Sequence, residues 1–228
     1  MEMLLGFAVL LGCLFLGIKH GGIGLAVISG IADADKYPTI GRLLRTQKHA
    51  SPYMEKYVME ALFQMGDGEY AMERAHERYH AMVTDSVHST LYEGWLEGVN
   101  GFGGGTTNHA WSGGPLTVIA QYLMGVSVTE PGWRKFAVCP SPVRFQKAHI
   151  TIPTVRGMIK SAFRLGEKAD VYTLTVPQGT EAYLYLPCGD AAQVKGAARY
   201  LCLESGVQKA GRVCLLLPAG KYKFKVSK

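Results

Sequence analysis

The sequence predicts a mixed fold, with paired α-helices in its first half and an antiparallel β-sandwich in its second. Three observations lead there. Apolar residues recur at a 3.6-residue period over residues 49–66 and again over about 69–83. Gly66-Asp67-Gly68 interrupts the two periods. After residue 126 the pattern changes to short apolar or alternating runs separated by turn residues. The change puts a domain boundary near residues 125–130.

Over residues 49–66, Tyr53, Met54, Tyr57, Val58, Ala61, Leu62 and Met65 fall on one helical face. Ser51-Pro52 fits an N-cap followed by proline at the first helical position. The next helix carries Ala71, Ala75, Tyr79 and Met82 on its apolar side. So short a link makes the two helices antiparallel neighbours, an αα-hairpin. Residues 25–32 and 36–46 fit a similar pair around Asp33-Ala34-Asp35. Repeated hairpins build a bundle or an α/α barrel. Helical periodicity returns from Asn108 to about Met124, and Gly125 ends it. The strands are read at residues 173–177, 182–187, 213–217 and 222–226. Gly166-Glu167, Gln178-Gly179 and Ala219-Gly220 supply turns between such runs.

With 228 residues and 48% apolar content, the chain has material for a proper core and is not a disordered polymer. The net charge is +6 and the pI about 9.0. Lys and Arg look scattered along the sequence, with Arg42, Arg45 and Lys48 the nearest to a cluster. That distribution reads as solvated surface, and no nucleic-acid partner is expected. The cysteines are Cys13, Cys139, Cys188, Cys202 and Cys214, with no CxxC pair and no zinc-ligand spacing. Cys202 and Cys214 lie in apolar runs, where a free thiol behaves as a small hydrophobe.

Residues 3–18 are apolar and uncharged. A spanning helix needs about 20 such residues, so the run is marginal. Glu2 and the lack of an A-x-A site depart from a signal peptide. Two readings stay open for residues 1–21: a signal or membrane anchor, and a segment not native to the fold. The first would place the protein outside the cytoplasm or at a membrane, the second in the cytoplasm.

Chemistry is expected between residues 84 and 112. A polar stretch leads into Ser89-Thr90-Leu91-Tyr92-Glu93-Gly94-Trp95 and then the glycine-rich run of residues 101–105. No Lys-Ser/Thr follows those glycines, so they are not a phosphate loop. Glu93 stands beside Tyr92 and Trp95, and a carboxylate among aromatic rings suits a sugar site. His109 follows Asn108 at a helix start, where it can donate to a substrate oxygen or cap backbone. Trp111 is read either as a stacking face or as core.

These segments resemble α-L-rhamnosidases. Residues 89–95 are similar to that family's T-T-x-W-E-x-W signature, and Asn108-His109-Ala110-Trp111-Ser112-Gly113-Gly114 to the N-H segment after it. Gln47-Lys48-His49-Ala50-Ser51-Pro52-Tyr53 and Pro131-Gly132-Trp133 with Phe136 add to the likeness, which runs from about Leu25 to the C-terminus. The resemblance implies the C-terminal part of an α/α six-hairpin barrel over residues 22–126 and a β-sandwich over 127–228. It implies hydrolysis of terminal α-L-rhamnose with inversion, by Glu93 as general base and with no cofactor or metal. His109 would line the rhamnose pocket, with Asn108, Trp95 and Trp111 as further substrate contacts. Ser89 and Tyr92 replace the family's Thr and Trp.

An inverting glycosidase needs two carboxyl groups roughly 6.5–9.5 Å apart, and the family's general acid lies upstream of the matched region. The expectation is therefore a truncated or split product, inactive alone, whose partial barrel pairs with an N-terminal half or with another copy. The alternatives are a rhamnose- or glycan-binding pseudoenzyme and a remnant anchored to a membrane through residues 3–18.

Overall fold

The computed structural model describes residues 21–95, 105–204 and 206–228. The apolar residues 3–18, Cys13 and the glycines at 101, 103 and 104 lie outside the described residues. The chain forms two compact units that divide between Val118 and Ile119.

The helical unit contains α1 (Gly21–Ile28), α2 (Tyr37–Thr46, preceded by a 3₁₀ turn at Ala34–Lys36), α3 (Pro52–Gln64), α4 (Gly68–Val83) and α5 (Gly114–Val118). Ser51 caps α3 by accepting the Met54 N–H at 3.4 Å, and Pro52 opens the helix without losing a bonded N–H. α3 is the central element, with Val58, Met59, Ala61 and Leu62 all buried. Glycines let its neighbours close on it. A Cβ on Gly24 of α1 would stand 2.9 Å from the Tyr57 carbonyl oxygen, and one on Gly114 of α5 would stand 2.6 Å from the Lys56 Cβ.

The apolar period placed Tyr53 and Tyr57 on the buried face of α3. Tyr53 is in fact 37% exposed, while Glu55 has no exposure at all. The reason is a buried ion-pair network. Arg74 and Arg78, one turn apart on α4, both bind Glu55. Arg74 donates through Nε and Nη2, the latter at 3.2 Å, and Arg78 donates through Nη1 at 2.5 Å. Spare donors reach the carbonyls before α3. Arg74 Nη1 bonds Leu44 O at 2.5 Å, and Arg78 Nη2 bonds Lys48 O at 2.8 Å and Ala50 O at 2.9 Å. Burial weighs against the Arg74 charge, but hydrogen bonding to Glu55 and the Glu55 charge outweigh it and raise its pKa. Arg78 goes the other way: burial is the largest influence, and its pKa is lowered.

The second unit begins with a π-helical turn (Ile119–Leu123) and Gly125, whose φ of 70° no side chain would tolerate here, since a Cβ would lie 2.0 Å from Cys139 O. Eight strands follow: β1 (Val126–Val128), β2 (Lys135–Val138), β3 (Lys147–Thr154), β4 (Gly157–Arg164), β5 (Ala169–Val176), β6 (Glu181–Leu186), β7 (Val213–Leu217) and β8 (Gly220–Ser227). They form two four-stranded sheets, ordered β1-β2-β6-β7 and β3-β4-β5-β8. All pairings are antiparallel except β2 with β6, which is parallel. Phe136, Leu184, Leu186, Leu215 and Leu217 of the first sheet share a core with Phe163, Leu174, Val176 and Phe224 of the second.

β6 and β7 read as unbroken apolar runs because both of their faces are covered. Tyr183, Tyr185 and Cys214 face a second cluster with Cys202. Cys139, Cys188, Cys202 and Cys214 are free thiols, and burial pushes Cys214 up to about 12. β3 and β4 mix apolar residues with Lys147, His149, Lys160 and Arg164 and hold no unbroken apolar run, and they escaped the sequence reading.

Replacing Arg74 with Met should leave Glu55 short of its principal partner in the dry interior. We expect urea denaturation followed by helical circular dichroism to show a loss of about 3–5 kcal/mol in stability.

Candidate functional site

Two segments, residues 89–95 and 105–112, the latter running into a 3₁₀ turn at Ala110–Gly113, are tied by backbone and hydroxyl hydrogen bonds. His109 N–H donates to Leu91 O at 2.8 Å, and Glu93 N–H to Thr106 O at 2.9 Å. The Thr90 hydroxyl bonds Thr107 O, and the buried Ser112 hydroxyl bonds Tyr92 O at 2.7 Å. The first two ties fix His109 and Glu93 themselves, and the other two fix neighbours of Asn108, Trp111 and Glu93.

Glu93 and His109 are brought together by this lacing. Thr106 N–H donates to Glu93 Oε2 at 3.2 Å, and the Thr106 hydroxyl sits 2.8 Å from His109 Nδ1. His109 Nδ1 is 3.8 Å from Glu93 Oε2, and the two side chains are 26% and 23% exposed. Thr106, which the sequence reading passed over, is thus the bridge between carboxylate and imidazole. Among the described residues, both contacts of the Glu93 carboxylate are made through Oε2.

An aromatic row runs away from this pair. The Trp111 ring lies 4.1 Å from the His109 ring and 5.0 Å from Tyr53, whose ring meets Tyr57 edge-on at 5.9 Å. Trp111 is 48% exposed, so it presents a face to solvent rather than serving as core. Tyr53 escaped notice as a site residue because its spacing on α3 matches the apolar period. Asn108 is exposed. Trp95 sits differently: its indole N–H donates to Ala50 O at 2.7 Å, the Arg78 guanidinium covers it at 3.9 Å, and Tyr79 meets it edge-on at 5.0 Å. The geometry makes Trp95 a clamp for the chain next to Glu93.

Tyr92 is buried against Tyr79 and Met82, and its hydroxyl donates to Asp85. That bond, with the N–H groups of Val87 (2.7 Å) and His88 (3.1 Å), holds the Asp85 carboxyl well below the usual carboxylate range. Elsewhere in this unit a depression is lined by Tyr37, Pro38, Arg42, Arg45, Met65 and Asp67. Its charges are spent on one another, with Arg45 on both Asp67 oxygens at 2.7 and 2.5 Å. Lys48 is likewise paired, with Glu77. No group of three metal-ligating side chains occurs among the described residues, and no described helix is long and apolar enough to cross a membrane.

Residues 125–200 match the family model of the bacterial alpha-L-rhamnosidase C-terminal domain. The chain resembles the C-terminal part of bacterial α-L-rhamnosidases. Solved structures agree in fold. The α-L-rhamnosidase of Dictyoglumus thermophilum superposes with a TM-score of 0.74 at 20% identity, over 92% of this chain and 25% of that one. The Streptomyces avermitilis α-L-rhamnosidase, solved in complex with L-rhamnose, gives 0.76 at 16% identity over 91% of this chain and 21% of that one. The Aspergillus terreus enzyme gives 0.70 at 18% over 92% and 24%. This chain therefore spans about a quarter or less of the length of these rhamnosidases. No curated protein matches the chain.

The depressed Asp85 pKa fixes a sign for acid sensitivity. A carboxyl lowered by folding stabilises above its unfolded pKa, near 3.8, and loses that contribution as pH falls toward the folded value. Asp85→Asn should therefore melt below the unmodified chain by a constant margin from about pH 7 to 5, and the margin should shrink below about pH 4. Thermal melts of both proteins across that range check this.

Proposed function

We propose that the helical unit carries the water-activating side of an α-L-rhamnosidase site, as part of an inverting glycoside hydrolase. The observation that carries this reading is the Glu93–Thr106–His109 arrangement. It places a partly exposed carboxylate with one oxygen anchored and 3.8 Å from an imidazole, beside an exposed aromatic face. In this reading Glu93 takes a proton from water as the water oxygen attacks the anomeric carbon and the glycosidic C–O bond breaks. His109 holds a sugar hydroxyl, and Thr106 keeps His109 and Glu93 in register. Trp111 and Tyr53 offer ring faces to the apolar side of the sugar. Asn108 stands at the rim, and Trp95 positions the Glu93 backbone.

The leaving oxygen needs a proton from a second carboxyl roughly 6.5–9.5 Å away. Acids of the helical unit are paired within it: Glu55 with two arginines, Glu60 with Lys56 at 2.8 Å, Asp67 with Arg45 and Glu77 with Lys48, while Asp85 accepts from Tyr92. On this reading the general acid comes from further α/α-barrel sequence of the rhamnosidase type, and the chain by itself binds rhamnosides without cleaving them. A module that only binds a rhamnose-containing glycan is the second reading, favoured by the same pairing of acids.

Two measurements separate them. Co-expression with the N-terminal part of a bacterial α-L-rhamnosidase should give hydrolysis of p-nitrophenyl α-L-rhamnoside with β-L-rhamnose as first product. Glu93→Gln should then lower kcat by about 10²–10⁴-fold. Hydrolysis undiminished by that substitution overturns the role of Glu93, and no hydrolysis leaves the binding reading in its place. For the chain alone, L-rhamnose should shift the Trp111 indole resonance saturably, and His109→Ala should weaken the binding. A flat titration overturns both readings.

A further inference from the structure

The charge of this protein is not spread evenly. Residues 119–228 carry 16 Lys and Arg against 6 Asp and Glu, a net of +10, while residues 1–118 carry 8 against 12, a net of −4. The overall +6 conceals this division, which corrects the reading of the cations as scattered while leaving most of them solvent-exposed.

Within the sandwich much of the excess gathers on one surface. Alternation along β3, β4, β5 and β8 turns Ile159, Phe163, Tyr172, Leu174, Phe224 and Val226 into the core and sends their neighbours outward. Strand register arranges the outward residues in three rows across the sheet. The first is Lys147, Arg164, Val171 and Lys225; the second is His149, Ala162, Thr173 and Lys223; the third is Thr151, Lys160, Thr175 and Lys221. Six of these are Lys or Arg, all exposed, and none is acidic. None of the six forms an ion pair among the described residues. The acids of this unit are mostly engaged elsewhere. Asp170 accepts from Gly166 N–H at 3.0 Å and faces Lys228 at 3.5 Å. Glu130 and Glu181 both face Lys135, at 3.4 and 3.7 Å. Asp190 caps a 3₁₀ turn, and Glu204 accepts from Tyr183. Glu167 lies in the β4–β5 turn, at one end of the face.

Such a face works against folding, since like charges directly opposite, as Lys147 and Arg164 are, destabilise a sheet. Guarding an open edge explains lysines on β8, an edge strand. It does not explain Lys160 and Arg164 on β4, which is paired on both sides. We infer that the outer face of the β3-β4-β5-β8 sheet binds an acidic polysaccharide, a linear chain bearing uronate or sulfate groups. A sheet face with cations repeating every second residue along β8 fits an extended polymer with periodic charge. Thr151, Thr173 and Thr175 lie between the cations as hydroxyl partners for sugar. A single-stranded nucleic acid would need aromatic stacking platforms, and no Phe, Tyr or Trp stands in these rows. Membrane-surface binding would need a broad apolar face beside the basic one; the rows hold only Ala162 and Val171, and the β3–β4 hairpin end adds only the exposed Val155 and Met158. The choice of a polysaccharide among polyanions rests on the glycosidase reading of the helical unit; the anion site itself does not.

The test uses the full chain and four probes: polygalacturonate, dextran sulfate, duplex DNA and vesicles containing anionic phospholipid, with neutral dextran as control. Binding to polygalacturonate or dextran sulfate should weaken as salt rises. The double substitution Lys160→Glu with Lys223→Glu should weaken it at least tenfold, with a melting temperature no lower than that of the unmodified chain. Glu93→Gln should leave it untouched, so failure of the catalytic reading and of this one are distinguishable. Three results would overturn the proposal: no retention of either acidic polysaccharide at low salt, binding indifferent to the double substitution, or tighter binding to DNA or vesicles through the same two lysines.

Discussion

Glu55 lies with no access to water, and two guanidinium groups close on it from successive turns of α4. A lone buried carboxylate would cost several kcal/mol, and so would a lone arginine. Together they form a unit with most of its hydrogen-bonding capacity used. The donors left over seize the carbonyls of Leu44, Lys48 and Ala50, which turns the link between α2 and α3 into a fixed strap. Arg78 also covers the ring of Trp95, whose indole N–H takes Ala50 O as well. One network therefore sets the packing of α3 on α4, the entry of the chain into α3 and the seat of the segment that bears Glu93.

The candidate site inherits its order from this arrangement. Two backbone hydrogen bonds join its segments, and the Thr90 and Ser112 hydroxyls add two more. On the proposed reading this anchoring suits a proton-transfer group, which must be fixed in direction yet open to a small ligand. Trp111 and Tyr53 remain partly in solvent, where a ring face can meet a sugar, while Tyr92 and Trp95 are consumed by the scaffold. Aromatic residues a few positions apart thus take opposite roles.

The sandwich unit pairs a thick apolar interior with a strongly basic exterior. One sheet is covered on both faces over β6 and β7, which leaves no room there for polar display. The other sheet is covered on one face only, and there the alternation of the strands delivers cations outward in register. The two sheets differ in chemistry because their burial differs.

The sequence by itself determined the helical hairpin of α3 and α4, the Ser51 cap, the stop at Gly125 and four of the strands, because period and turn residues are local signals. It also picked out Glu93, His109 and Trp111, through motif resemblance rather than spacing. Tertiary structure decided what local pattern cannot encode. The burial of Glu55 depends on two arginines 19 and 23 residues away. The exposure of Tyr53 contradicts its place in the apolar period, since that period records what a helix offers and not what its neighbours cover. The parallel pairing of β2 with β6 and the basic grid on the second sheet arise from register between distant strands. In each case the deciding energy comes from partners far along the chain, whose meeting only the fold brings about.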